Sequence, residues 1–391
     1  MKRIGEHQLI EPSVTRPAAA HLEPPNLRSR RAFTLLETLA VIGILGILIL
    51  ITLPAVLSVR EWARRVQCQS NLRQLGIALN AYHTTHGRFP ASIQYDRGDV
   101  PGQRHDWPED PNKYRPNWVI KILPYIEQQT LYDRFDFKQP IQHPANESPR
   151  GVDIPLMLCS TDLGPEVKFS DVIRQGNWAR GNYAANACLG RAYFFYPEDG
   201  ELPPYTMPCG GPKMPLWENR LTRGVMGANT SLRSAQITDG MSKTVLLAEV
   251  RIGLAVMDRR GTWAMGVPGA SSVWGMGVGA HPSPNYPDGD SIGGCELIVP
   301  AVGPLVLHRE GMECGPIGDP SSNKATPRSR HVGGVYTCMC DGSVHWISDS
   351  IDSAAFTPPP AGNHTGTDMH IWQRLHAAAD GVPVELTALE Q

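Results

Sequence analysis

The hydrophobic pattern divides the chain unevenly. Residues 1–32 show no apolar periodicity; they are polar, carry several prolines and turn basic at Arg28, Arg30 and Arg31. Residues 33–57 are almost uniformly apolar, interrupted chiefly by Glu37 and a few threonines. As a helix this stretch is about 37 Å long, enough to cross a hydrocarbon core of about 30 Å. It is also longer than the apolar core of a cleaved secretory signal. A carboxylate inside such a segment costs about 2.5–3.5 kcal/mol at the helix centre. Glu37 therefore calls for a specific partner and is a functional candidate.

Helical spacing continues beyond the apolar stretch. Val59, Trp62, Ala63 and Val66 form one stripe, and Leu72, Leu75, Leu79 and Tyr82 form another, with a change of phase between them. The pattern predicts one long helix, transmembrane over 33–57 and exposed over 58–86, whose successive parts meet different partners. Pro54 lacks a backbone donor and is expected to kink it. Gly87 and Pro90 are expected to end it.

Residues 87–391 read as a globular domain built from short segments. A short helix is predicted from about Pro124, with Tyr125, Ile126, Gln129 and Tyr132 on its face. Residues 182–186 read as extended, residues 244–249 as a buried strand following Asp239-Gly240, and residues 187–227 as a Pro- and Gly-rich surface insertion. Residues 335–340 and 343–348 flank Asp341-Gly342, the signal of a two-residue hairpin. That register sets Cys338 opposite His345 and, extrapolated, His331 opposite Asp352. The expected class is α+β: a long N-terminal helix on a loop-rich, mainly antiparallel β domain.

Composition narrows the partners. Thirty-six basic against 38 acidic residues leave the chain nearly neutral, so no global field favours nucleic acid. Gly at 38 and Pro at 35 favour a loop-rich passenger.

Arg30-Arg31-Ala32-Phe33-Thr34-Leu35-Leu36-Glu37 resembles the type IV prepilin and type II secretion pseudopilin signature. The resemblance implies cleavage between Ala32 and Phe33 by a prepilin peptidase that also methylates the new Phe33 amine. It makes Glu37 the fifth mature residue, paired during assembly with the terminal ammonium of a neighbouring subunit. Ala32 departs from the glycine usual before the cut. Farther along, Arg64-Arg65-Val66-Gln67-Cys68, Tyr82-His83, Phe89-Pro90, Leu123-Pro124-Tyr125-Ile126-Glu127-Gln128, Leu158-Cys159, Asn182-Tyr183-Ala184 and Ile237-Thr238-Asp239-Gly240 recur in order. With His331 nine residues before Asp341-Gly342, they resemble a large bacterial family of prepilin-leader proteins with a C-terminal domain of unassigned function. The resemblance places the N-terminus in the cytoplasm, the helix in the inner membrane and the globular domain in the periplasm or at the cell surface. Its implied partners are the peptidase, the lipid bilayer and other pilin-like subunits.

Export bears on the eight cysteines, which allow up to four disulfides. A bridge from Cys68 to Cys159 would tie helix to passenger and contribute roughly 3–5 kcal/mol; the alternative is two buried thiols. His331, Asp341 and Gly342 read as structural elements of a hairpin. Cys338, Cys340, His345 and His331 are a weaker zinc set, and Asp288-Gly289-Asp290 an incomplete calcium loop. The nine tryptophans fit a core better than a sugar-binding face. The chain has no Gly-x-Ser-x-Gly elbow, His-Glu-x-x-His or phosphate loop, so no enzyme activity and no cofactor or metal is expected. Two classes remain: a pilin-like or pseudopilin-like structural subunit, and a non-assembling membrane-tethered binding protein.

Overall fold

The computed structural model describes residues 34–95, 114–162, 168–171, 175–190, 217, 219–275, 283–316, 323–354, 369–382 and 384. Residues 1–33, including Ala32 and Phe33, lie outside the described residues. The chain divides into two units, one ending at Leu57 and one starting at Ser58.

Helix α1, Leu35–His86, spans the boundary. In the first unit every described side chain is exposed, and this is the one described helix long and apolar enough to cross a membrane. Its start is chemically defined: Thr34 Oγ accepts from the Glu37 N–H at 3.2 Å, while Glu37 Oε2 accepts from the Thr34 N–H at 2.9 Å. This is a reciprocal capping box, and its Thr-x-x-Glu spacing is legible in the sequence. Pro54 lies inside the helix. Gly87, at φ +72°, donates to His83 O at 2.8 Å and closes the C-terminus.

In the second unit the predicted phase change is realised as a change of burial. Val59, Trp62 and Val66 are exposed, whereas Cys68, Asn71, Leu72, Leu75, Ala78 and Leu79 are buried. Leu72, Leu75, Ala78 and Leu79 pack into one large core with Trp118, Trp178, Tyr183, Leu246, Leu247, Trp263 and Cys338.

The main sheet has strands β1 (Tyr183–Cys188), β2 (Val245–Glu249), β3 (Ser272–Trp274), β4 (Gly334–Met339) and β5 (Val344–Ser348), in the order β5-β4-β2-β1-β3. All pairs are antiparallel except β1 with β3. Alternation along β4 sends Tyr336 and Cys338 to the core shared with α1. Val335 and Met339 join Val245, Ala248, Ile347, Trp372 and Leu375 in a second core under the helix Ile371–His376.

Four expectations change. The helix predicted from Pro124 starts earlier, at Trp118, where Asn117 Oδ1 accepts from Ile120 N at 3.1 Å. It then breaks at Glu127, which takes a left-handed φ of 59°, before a turn over Gln129–Tyr132. Of residues 187–227, read as a surface insertion, 191–216 and 218 lie outside the described residues; at the described ends Ala187 and Cys188 complete β1, and Leu189, Val225 and Met226 are fully buried because the returning chain hydrogen-bonds to Asn186 and Ala187. The β4–β5 hairpin has a three-residue connection: Gly342 donates to Met339 O at 2.9 Å and Met339 to Ser343 O at 2.8 Å. Gly342, at φ +89°, supplies the left-handed residue that closes the loop, and the register shifts by one. Cys338 therefore faces Val344, and His345 faces Thr337.

Candidate functional site

The described residues that bring the most chemistry together lie on the second half of α1, at the end of the central strand β2 and just before β4. Glu61, Arg65 and Cys68 follow one another at four- and three-residue spacing and share a helix face. Cys159 follows the turn Pro155–Met157. Its loop is held by backbone and amide contacts: Asn71 Nδ2 donates to Leu158 O at 3.0 Å, and Cys159 N donates to Asn182 Oδ1 at 2.9 Å. Cys68 and Cys159 are disulfide-bonded, with Cα atoms 5.4 Å apart. A second bridge joins Cys295 to Cys314, a pairing that sequence order alone could not select.

His331 lies against this disulfide. Its Nε2 is 3.5 Å from Cys159 Sγ and 3.5 Å from Glu249 Oε1, and its Nδ1 is 3.0 Å from Glu61 Oε1. His331 and Glu249 are buried, whereas Glu61 is one-third exposed. Burial works against a charged imidazole, but Glu249 and Glu61 outweigh it and raise the His331 pKa. Glu249 Oε2 accepts from the Tyr336 N–H at 2.9 Å. Arg65 closes the outer side: it lies 3.7 Å from Glu61, stacks over Trp346 at 4.9 Å and donates to Val332 O at 2.9 Å. Cys68, Cys159, Glu249 and His331 each offer a donor atom, and these four atoms lie within 4.8 Å of one another.

This arrangement corrects two expected pairings. His331 meets Glu61 and Glu249, not Asp352, because it precedes β4 and the three-residue loop moves the ladder; Asp352 Oδ1 instead pairs with His370 Nδ1 at 2.8 Å. Cys338 and Cys340 do not join His331. Both are free, buried thiols; burial pushes Cys338 up to about 12 and Cys340 well above its ordinary value. Glu61 and Glu249 escaped the sequence reading. Glu249 sat in an apolar strand, and a carboxylate ending such a strand was the available signal.

The other end of the His331-to-Gly342 stretch docks on the same helix. Asn80 Nδ2 donates to Cys340 O at 3.0 Å, and a Cβ added to Gly76 would come within 3.2 Å of Gly342 Cα. Asp341 Oδ1 accepts from Ser343 N at 2.8 Å and fixes the turn. Asp290, read as part of a calcium loop, is already neutralised by Arg260 at 3.3 Å and Arg328 at 3.1 Å. Trp118, Trp178, Trp217, Trp263, Trp274 and Trp372 are buried, which removes them from any sugar-binding face; Trp107 lies outside the described residues.

Residues 57–354 match the family model described as Protein of unknown function (DUF1559). The chain is also similar to the type II secretion system core protein G of Pectobacterium carotovorum subsp. carotovorum, with 37% identity over 114 residues, 29% of this chain and 70% of that protein. Against the protein of the same name from Klebsiella michiganensis, identity is 32% over 88 residues, 21% of this chain and 62% of the relative. For Aeromonas hydrophila it is 33% over 97 residues, 25% and 66%. The chain thus spans about two thirds of the length of these curated relatives. No solved structure matches it.

Proposed function

We propose, for a chain that belongs to the DUF1559 family of proteins of unknown function and resembles type II secretion core protein G, the role of a pilin-like, membrane-anchored structural subunit. The observation that carries this reading is the exposed apolar half of α1 together with the Thr34–Glu37 box at its head. An apolar helix surface of that length is buried by lipid or by equivalent helices. The Glu37 carboxylate is held in the first helical turn, four residues from Phe33, where a peptidase cut after Ala32 would create a new amine. Pairing of that amine, methylated in the mature protein, with Glu37 of a neighbour would set axial register. Pro54 would kink the helix near the end of the membrane span. The passenger then faces the periplasm or the cell surface.

The rival reading, a tethered binding protein that does not assemble, draws on one observation. The curated relatives are matched over only 21–29% of this chain, so most of the passenger has no counterpart in that alignment. Glu37→Ala and Glu37→Gln separate the two. In a subunit, both variants insert into the membrane but drop out of sheared or cross-linked assemblies. Normal incorporation of both variants would sink the assembly reading.

A further inference from the structure

We propose that Cys68, Cys159, His331 and Glu249 constitute a zinc-type cation site that forms when the Cys68–Cys159 bond is open, so that one position alternates between a disulfide and a tetrahedral metal centre. The donor set is the first argument. Two thiolates, one imidazole and one carboxylate match the ligand types of four-coordinate zinc. With Zn–S near 2.3 Å and Zn–N or Zn–O near 2.0–2.1 Å, tetrahedral geometry sets neighbouring donors about 3.3–3.8 Å apart. His331 Nε2 already lies 3.5 Å from both Cys159 Sγ and Glu249 Oε1, and all four donors fall within 4.8 Å. Opening the disulfide moves its sulfurs toward the required separation.

The surrounding shell fits a ligand histidine as well. A ligating imidazole is oriented by an acceptor at its other nitrogen, commonly a carboxylate. Glu61 Oε1 stands 3.0 Å from His331 Nδ1, which leaves Nε2 as the ligand atom. Glu249 completes the set: it is 1% exposed, its Oε2 is taken by the Tyr336 N–H, and its Oε1 is turned to His331 Nε2 at 3.5 Å. At 3.5 Å that contact is longer than a good hydrogen bond and matches the spacing of two ligands on one tetrahedral cation.

The chemistry balances with a thiol reductant. A small dithiol gives two electrons and two protons: its own S–S bond forms, the Cys68–Cys159 bond breaks, and two thiols result. The divalent cation then replaces the two thiol protons and any proton on His331 Nε2, which pass to solvent. Disulfide and metal occupancy exclude each other because they use the same sulfurs. The inference is independent of whether the chain assembles.

Cobalt(II) is the probe, added to the full-length protein in detergent micelles before and after dithiol treatment. The reduced protein should bind one cobalt with thiolate charge-transfer bands and intense tetrahedral d–d bands, and the oxidised protein should show neither. His331→Ala and Glu249→Gln should abolish the tetrahedral signal. Glu61→Gln should weaken affinity about 10–100-fold. Cys338→Ser/Cys340→Ser, remote from the site, should leave it intact. Absence of a tetrahedral signal, including through unfolding on reduction, overturns the proposal. So does a signal that survives His331→Ala and Glu249→Gln, since the metal would then sit on other cysteines.

Discussion

The two halves of α1 are built from similar apolar residues and put them to opposite uses. Over residues 34–57 Leu45, Leu48 and Ile51 are about half exposed or more, and a Cβ at Gly43 or Gly46 would touch nothing within 4 Å. Over residues 68–79 Leu72, Leu75 and Leu79 are fully buried, and Gly76 is pressed against Cys338 and Gly342. Identical side chains therefore have different consequences. The first half presents its surface to an environment outside the chain, whereas the second contributes directly to the passenger's own stability.

The strongest way to break this contrast is to remove the covalent tie in the second half. Cys68→Ala/Cys159→Ala frees a loop with a sequence separation of 91, which the chain-entropy model values at about 4–5 kcal/mol. Tryptophan-monitored denaturation should show a loss of that order, and an unmoved midpoint would mean that the bridge does not secure the helix. Next, the same substitution at two sites tests burial alone. Leu72→Ala should cost about 3 kcal/mol, as expected for a closed core, while Leu48→Ala should shift passenger unfolding by no more than about 0.5 kcal/mol. Equal effects would erase the distinction between the halves.

Glycines sharpen the comparison further. An added Cβ at Gly76 would come within 2.5 Å of Cys338 Sγ, so Gly76→Ala should force the hairpin away from the helix and cost about 1–3 kcal/mol. Gly46→Ala should be neutral or slightly stabilising through helix propensity. A last effect is confined to the passenger and depends on pH. Burial, with Asp239 adding to it, raises the Asp380 pKa to about 7. Its folded form thus holds a proton that the unfolded chain releases at lower pH. The associated stability is complete below about pH 4 and fades as pH rises toward 7. Asp380→Asn should flatten that slope in thermal scans between pH 4.5 and 8; an unchanged slope would assign it to other groups.

Much of the fold was legible along the chain. The membrane-length helix, its stop at Gly87, the buried strand ending at Glu249 and the hairpin strands around Asp341-Gly342 all follow from local periodicity and turn chemistry. The Thr34–Glu37 cap could have been read from spacing as well. The hairpin register was not legible, because two- and three-residue connections both use Asp-Gly, and one extra residue redirects every pairing.

What the sequence determined by itself was the division of α1, since the phase and polarity of side chains on a helix are fixed by 3.6-residue geometry. What only the tertiary structure decided was the company of His331. Glu61, Cys68, Cys159 and Glu249 lie between 82 and 270 positions away from it in sequence. No local rule relates residues so far apart. Their convergence is set by where β2, β4 and the Cys159 loop close on the helix, a result of cooperative core packing.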